Sequence, residues 1–149
     1  MKNLFYDVKK CMGCRSCEIA CAVAHSACGE LFKALEEEVL SLPRVQVFAS
    51  DGKNYPVSWR TCGDAVCGDA CMAAALVFDK QKGMVEHNEK RCVGCWMCVM
   101  VCPYSAIRPN LKTKMPIRCD KCQDKEEPAC VKACPTGAII WQEEMAVEK

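Results

Sequence analysis

Cys92–Val93–Gly94–Cys95–Trp96–Met97–Cys98–Val99–Met100–Val101–Cys102–Pro103 spaces four thiols as C-x2-C-x2-C-x3-C and closes them with proline. Thiolates are soft ligands, and this spacing is the one with which they hold a cubic iron–sulfur cluster. Three of them wrap three irons of one cube, and the displaced fourth usually ligates a second cluster. That fourth cysteine is expected to enter a helix started by Pro103, because a first-turn proline needs no amide donor.

The arrangement recurs along the chain. Cys11, Cys14, Cys17 and Cys21 repeat the spacing, and Cys119, Cys122, Cys130 and Cys134–Pro135 repeat it with the middle gap stretched by Gln123 to Ala129. Cys62, Cys67 and Cys71 form an incomplete copy, with Trp59 where a leading cysteine belongs and Met72 where the proline belongs. These copies use all but one of the 16 cysteines, and Cys28 lies outside them.

Two other uses of cysteine fit less well. A disulfide scaffold requires export, and Met1 to Lys10 has no apolar core of a signal peptide and carries Asp7 among its lysines. No apolar run approaches membrane-spanning length either. The expected location is therefore the cytoplasm, without membrane insertion. Zinc takes separated cysteine or histidine pairs, whereas here three cysteines come in a row before the fourth. With 20 Lys plus Arg against 19 Asp plus Glu, the chain lacks the basic excess of a nucleic-acid binder.

The elements around the motifs are short. Leu4–Asp7, Val85–Asn88 and Ala138–Trp141 read as strands, the last entered through the turn Pro135–Thr136–Gly137. Pro103–Tyr104–Ser105–Ala106–Ile107 repeats that turn after the third motif. Gly13 and Gly94, between ligand cysteines, allow backbone to approach inorganic sulfur closely. Glu30 to Leu40 reads as a helix with Leu31, Leu35 and Val39 on one face, packed on the body, with a docking surface as the other reading. Pro43 ends it, and Arg44–Phe48 alternates like a strand. Lys112–Met115 reads as a solvated loop. The expected fold is α+β: two units stapled by clusters, which substitute for apolar core that pieces of this size lack.

Four motifs in this order, the stretched Arg118–Ile139 run and the 16 cysteines resemble the four-cluster, ferredoxin-like electron-transfer subunits of the DMSO reductase and hydrogenase families. Cys11–Met12–Gly13–Cys14 through Ala24–His25–Ser26, followed by Leu31–Phe32, resembles more particularly the CooF type that serves carbon-monoxide dehydrogenase. The resemblance implies crosswise ligation. Cys11, Cys14 and Cys17 would share a cluster with Cys134, and Cys119, Cys122 and Cys130 one with Cys21. Cys92, Cys95 and Cys98 would join Cys71, leaving Cys62, Cys67 and Cys102 for the last. It implies two bacterial ferredoxin-like units: residues 1–54 with 111–149, carrying an extra helix–strand segment 29–54, and an inserted unit, 55–110.

Three 4Fe–4S clusters are thus expected. Three thiolates cannot cover four iron corners, so the fourth site is expected to hold 3Fe–4S. The alternatives are 4Fe–4S completed by Cys28, Asp64 or a partner residue, or an empty site filled by Trp59. Trp59 itself offers iron no ligand. Cys28 reads as a small hydrophobe, and His25 as a capping or hydrogen-bonded histidine, with ligand or proton relay as its functional alternative. No nucleophile–base pair or dinucleotide loop is present. The expected role is an oxidoreductase subunit without a catalytic site of its own. It would relay electrons from carbon-monoxide dehydrogenase to a hydrogenase or a flavin/NAD(P) oxidoreductase. The alternatives are the beta subunit of a formate dehydrogenase, hydrogenase or molybdopterin enzyme, and a metal-stapled interaction module.

Overall fold

Each cysteine run folds through left-handed backbone. Gly13 and Gly94, before the second cysteine of their motifs, have φ of 75° and 68°. Arg15 and Trp96, just after that cysteine, have φ of 58° and 62° and set the start of a helix. Two left-handed residues in four curl the chain around the point its thiols face. In the fourth motif the glycine position holds Lys121, at φ 60°. Its ammonium is buried and donates to Asn3 Oδ1 at 2.5 Å.

The computed structural model describes residues 2–58, 62 and 64–143; Trp59 lies outside them. The elements in chain order are β1 (Lys2–Tyr6), α1 (Ser16–Ala24), α2 (Leu31–Ala34), β2 (Gln46–Ser50), β3 (Lys53–Val57), α3 (Val66–Asp69) and β4 (Leu76–Asp79). They continue with β5 (Met84–His87), α4 (Met97–Val101), β6 (Arg108–Asn110), β7 (Met115–Ile117), α5 (Ala129–Lys132) and β8 (Ile139–Glu143). The strands form four antiparallel pairs: β1–β8, β2–β3, β4–β5 and β6–β7. The first joins the two ends of the chain, with Leu4 opposite Trp141. Helices α1 and α5 pack together beside it, and α3 and α4 pack together beside β4–β5. The seams expected at 54/55 and 110/111 both fall within hairpins, in β3 and at the end of β6.

The core is built largely of cysteine. Cys17, Cys21 and Cys130 cluster with Val45, Val47 and Ile139, and Ala65, Leu76 and Val85 cluster with Cys67, Cys71 and Cys98 against them. Leu4 contacts the first of these clusters and also the Met84–Cys119 contact.

Two expectations are corrected. In the first motif the fourth cysteine, Cys21, does lie within a helix, α1, but in the others the helix lies before it: α4 ends at Val101, Cys102 is extended, and Pro103 stands in a turn. A proline there blocks continuation of the helix that has just ended. The helix expected over Glu30 to Leu40 is one turn, α2, and its apolar face does not pack: Leu35 is 68% exposed and Val39 47%. A short helix that buries no face has little to hold it, and Glu36 to Glu38 would meet the negative end of its dipole.

Candidate iron–sulfur centre

The turns place the thiols in four groups. Cys11, Cys14, Cys17 and Cys134 line one small cavity, together with Val47 and Ile139. Cys71, Cys92, Cys95 and Cys98 line a second, against His87 and Pro116. Cys21, Cys119, Cys122 and Cys130 are all buried, and the other three all act on the charge of Cys130. Cys62 and Cys102 act on Cys67. Cys28 stays apart from these groups: it is exposed, with its Sγ 3.4 Å from Glu30 O and 3.7 Å from Ser26 Oγ. Asp64 is exposed in the turn before α3.

The groups also adjoin in pairs. Cys17, of the Cys11 group, acts on Cys130 of the buried group, and Cys67 acts on Cys98. The Cys11 group therefore adjoins the buried group in one core cluster, and Cys67 adjoins the Cys92 group in another. Arg118, half-buried beside Cys119, lines a cavity with His25, Arg44, His87 and Asp120. Among the cysteines of the four groups, Cys14 and Cys95 alone are exposed, one in the Cys11 group and one in the Cys92 group.

Electrostatics show what the groups lack. Burial pushes the thiols of Cys17, Cys98 and Cys119 up to about 11, with neighbouring thiols adding to it. Cys130 is pushed higher still for the same reasons. Thiols gathered at this cost need a multiply charged cation to hold them ionised. At Cys134 the shift reverses. Burial raises its pKa, but the Thr136 hydroxyl and the amides of Ile139 and Ala138 outweigh it.

Those amides recur. Ala138 N–H donates to Cys134 Sγ at 3.2 Å, and Ala75 N–H to Cys71 Sγ at 3.3 Å. The second motif keeps this turn without its proline and glycine, because Ala74 takes φ 47° where Gly137 takes 62°. Arg44 N–H donates to Cys21 Sγ at 3.3 Å and Lys121 N–H to Cys119 Sγ at 3.4 Å. Amide donors of this kind tune cluster potentials.

Geometry separates iron–sulfur from zinc. A tetrahedral zinc with Zn–S bonds of about 2.3 Å brings its sulfurs to about 3.8 Å of one another. Among the described residues, the only trio of His, Cys, Asp or Glu side chains with donor atoms within 4.8 Å of one another is His25, Asp120 and Cys122. The cysteine groups are set wider, which suits a multi-iron cluster. All their thiols are free of disulfides.

His25 has the structural role expected of it. It caps α1, with Nδ1 2.7 Å from Cys21 O and 3.7 Å from Cys21 Sγ, while Nε2 faces Asp120 Oδ1 at 3.2 Å. Hydrogen bonds with Asp120, Cys122 and Cys21 raise its pKa to about 12. Burial acts to raise Asp120, but His25, the Cys122 amide and Arg44 outweigh it and hold the carboxyl well below the usual range. Sequence reasoning missed Asp120, Arg44, Arg118 and Lys121. Arg118, Asp120 and Lys121 in the run RCDKC, and Arg44 after Pro43, look like surface charges, and only their distant partners show otherwise.

An α+β fold of short hairpins around grouped, disulfide-free cysteines, set too wide for zinc, defines an iron–sulfur electron-transfer protein. Residues 52–144 match the model of the 4Fe-4S dicluster domain, and the chain belongs to that family. It is 39% identical to an iron-sulfur protein of Rhodospirillum rubrum, over 91% of this chain and 79% of that one. It is 35% identical to electron transport protein HydN of Escherichia coli, over 96% and 89%. It is 30% identical to the iron-sulfur subunit of the nitrate-inducible formate dehydrogenase of Escherichia coli, over 89% of this chain and 51% of that one. No helix among the described residues is long and apolar enough to cross a membrane.

Proposed function

We propose that this chain is a CooF-type cytoplasmic subunit. It receives electrons from a nickel–iron carbon-monoxide dehydrogenase and delivers them to a hydrogenase or a flavin/NAD(P) oxidoreductase. Each bound cluster supplies a one-electron couple. The residues that hold the clusters in this reading are Cys11, Cys14, Cys17 with Cys134; Cys119, Cys122, Cys130 with Cys21; Cys92, Cys95, Cys98 with Cys71; and Cys62, Cys67 with Cys102. The pairing of β1 with β8 and of α1 with α5 supports one unit closed by the first and fourth motifs. The packing of α3 on α4 supports a second, inserted unit.

The observation that carries a relay is the adjoining of thiol groups in two core clusters, with one exposed cysteine on each side, Cys14 and Cys95. Electron transfer needs close approach, so each side is a place for one partner. Apolar side chains surround both: Met12 beside Cys14, and Val93 and Met97 beside Cys95, are exposed. The choice of donor rests on the resemblance of Cys11 to Ser26 and on His25 within it.

The test is reduction of the purified holoprotein by carbon monoxide plus catalytic amounts of the dehydrogenase, followed as bleaching of visible absorption. Bleaching supports the reading. A protein that stays oxidised with that enzyme but bleaches with formate dehydrogenase or hydrogenase is instead a subunit of those systems, which the formate dehydrogenase relative favours. No bleaching even with dithionite makes it a metal-stapled interaction module.

A further inference from the structure

The peptide between Pro43 and Arg44 lies just before β2, outside any strand ladder, and both residues are half-buried. Its N–H and C=O must therefore find partners other than a neighbouring strand. Each has one. The Arg44 N–H donates to Cys21 Sγ at 3.3 Å. The Pro43 oxygen accepts Nη2 of Arg108, the first residue of β6. One peptide unit thus carries a thiol on its nitrogen and a guanidinium on its oxygen. The Arg44 side chain is held as well, by the Asp120 carboxylate.

Arg108 is half-buried, and burial pulls its pKa down. The charges that draw it the other way are Glu18 and Cys21. Glu18 is already engaged: Oε1 accepts the Val47 amide at 2.6 Å, and Oε2 lies 3.9 Å from Arg15 Nη1. Cys21 in turn differs from Cys119 and Cys130 of its group, whose pKa values are pushed up. Burial acts on it too, but the His25 ring and the amides of Arg44 and Val45 outweigh burial and lower it.

We propose that Arg108 is a positioning residue for electron transfer: through the Pro43–Arg44 peptide it holds the Arg44 amide on Cys21 Sγ and so raises the potential of the cluster that Cys21 ligates. The proposal rests on the assignment of Cys21 to the cluster of Cys119, Cys122 and Cys130. Reduction adds one electron to a cluster already anionic with thiolate, and a donor on its sulfur favours the more negative state. A cation on the carbonyl polarises the same peptide and strengthens its N–H as a donor. The residue comes from an unexpected place. Arg108 follows the turn after Cys102, so a cluster held by the first and fourth motifs is tuned from the end of the third.

The test is a reductive titration of the holoprotein followed by EPR, with Cys21→Ser and Cys119→Ser marking the component to be read. Arg108→Gln removes the charge and shortens the reach. It is expected to keep its iron and to lower that component's reduced-to-oxidised ratio about fivefold at fixed ambient potential, the equivalent of one ordinary hydrogen bond. Arg108→Lys keeps the charge but offers one donor in place of a fork, and is expected to fall about twofold below native. An unmoved component overturns the proposal. So do equal shifts in every component, since a peptide hydrogen bond acts on one sulfur. If Arg108→Gln loses iron, the lysine variant decides, and no shift there overturns the proposal. Cys21→Ser and Cys119→Ser altering different components overturns the ligand assignment and this proposal with it. A shared component that no Arg108 variant moves overturns the role of Arg108 alone.

Discussion

The imidazole Nε2 of His25 stands 3.2 Å from Asp120 Oδ1, across 95 residues of sequence. The contact ties the end of α1, one residue past Ala24, to the turn that carries Cys119 and Cys122. Asp120 Oδ1 also accepts the Cys122 amide at 3.0 Å, and its other oxygen accepts Arg44. One carboxylate therefore fixes three segments around the buried cysteine group.

Removing it should loosen that group first. Asp120→Asn keeps the shape and removes the charge. A hydrogen bond involving a charged group contributes about 1.5–3 kcal/mol, and because Asp120 is partly exposed the lower figure applies. The expected outcome is a holoprotein that melts several degrees lower and loses iron to a chelator faster than native. His25→Gln should do the same, and the double variant should cost no more than the larger single one. Additive losses would show that the two residues act separately.

The glycines should rank by what surrounds them. A Cβ on Gly94 would lie 2.7 Å from the backbone oxygen of Lys114, at φ 68°. Backbone cannot yield as a side chain does, so Gly94→Ala should displace the third motif and lose iron from it. On Gly13 the nearest atom, also at 2.7 Å, is Asn54 Oδ1, the end of a side chain that also donates to Cys11 O at 3.2 Å. Gly13→Ala should weaken the first motif less. Gly137 has nothing within 4 Å and only its φ of 62° to defend, so alanine there should cost about 1 kcal/mol. Iron per chain and melting temperature for the three variants check the order.

His87 makes one part of the stability depend on pH. Burial and the nearby charge of Arg118 hold its pKa below the ordinary 6.5. The folded protein therefore binds that proton less readily than the unfolded chain. The stabilisation is present above 6.5 and is lost as pH falls below it toward the depressed folded value. Native protein should lose melting temperature between pH 7.5 and 5.5, and His87→Gln should lose less. Equal losses would place the acid sensitivity elsewhere.

The cysteine devices were legible because they are local: ligand spacing, a residue that turns left, and a turn after the last thiol all fit within a dozen residues. The strands near Leu4, Val85 and Ile139 were legible for the same reason, as apolar runs bounded by turns. Arg108–Asn110 and Met115–Ile117 were not, since they are three residues each and set Pro109 opposite Pro116. The stripe of Leu31, Leu35 and Val39 misled because periodicity shows only that a helix could bury a face, not that a surface waits for it. Arg118, Asp120 and Lys121 were invisible for the opposite reason. Their partners, Cys67, His25 and Asn3, come from other parts of the chain and become neighbours only on folding.

Crosswise ligation, proposed above, predicts which substitutions share a spectrum. Cys134→Ser and Cys11→Ser should alter the same EPR component, although 123 positions separate them in sequence. Cys21→Ser should alter the component altered by Cys119→Ser, and not the one altered by Cys11→Ser, its motif neighbour. A component shared by Cys134 and Cys92 would overturn the arrangement.

The incomplete group at Cys62, Cys67 and Cys102 gives the last prediction. A 3Fe–4S cluster there brings the chain to about 15 irons, and a fourth ligand brings it to about 16. Cys28 is a poor source of that ligand: its amide donates to Glu37 Oε1 at 3.0 Å, its thiol donates to Glu30 O at 3.4 Å, and it is exposed. It is not among the principal charges acting on Cys67, whereas Cys62, Cys102 and Arg118 are. The expected result is about 15 irons and an EPR signal in the oxidised protein, where 4Fe–4S neighbours are silent. Cys28→Ser should leave both unchanged. A silent oxidised sample with about 16 irons, turned EPR-active by Cys28→Ser, would make Cys28 the missing ligand and require the segment around it to move on cluster assembly.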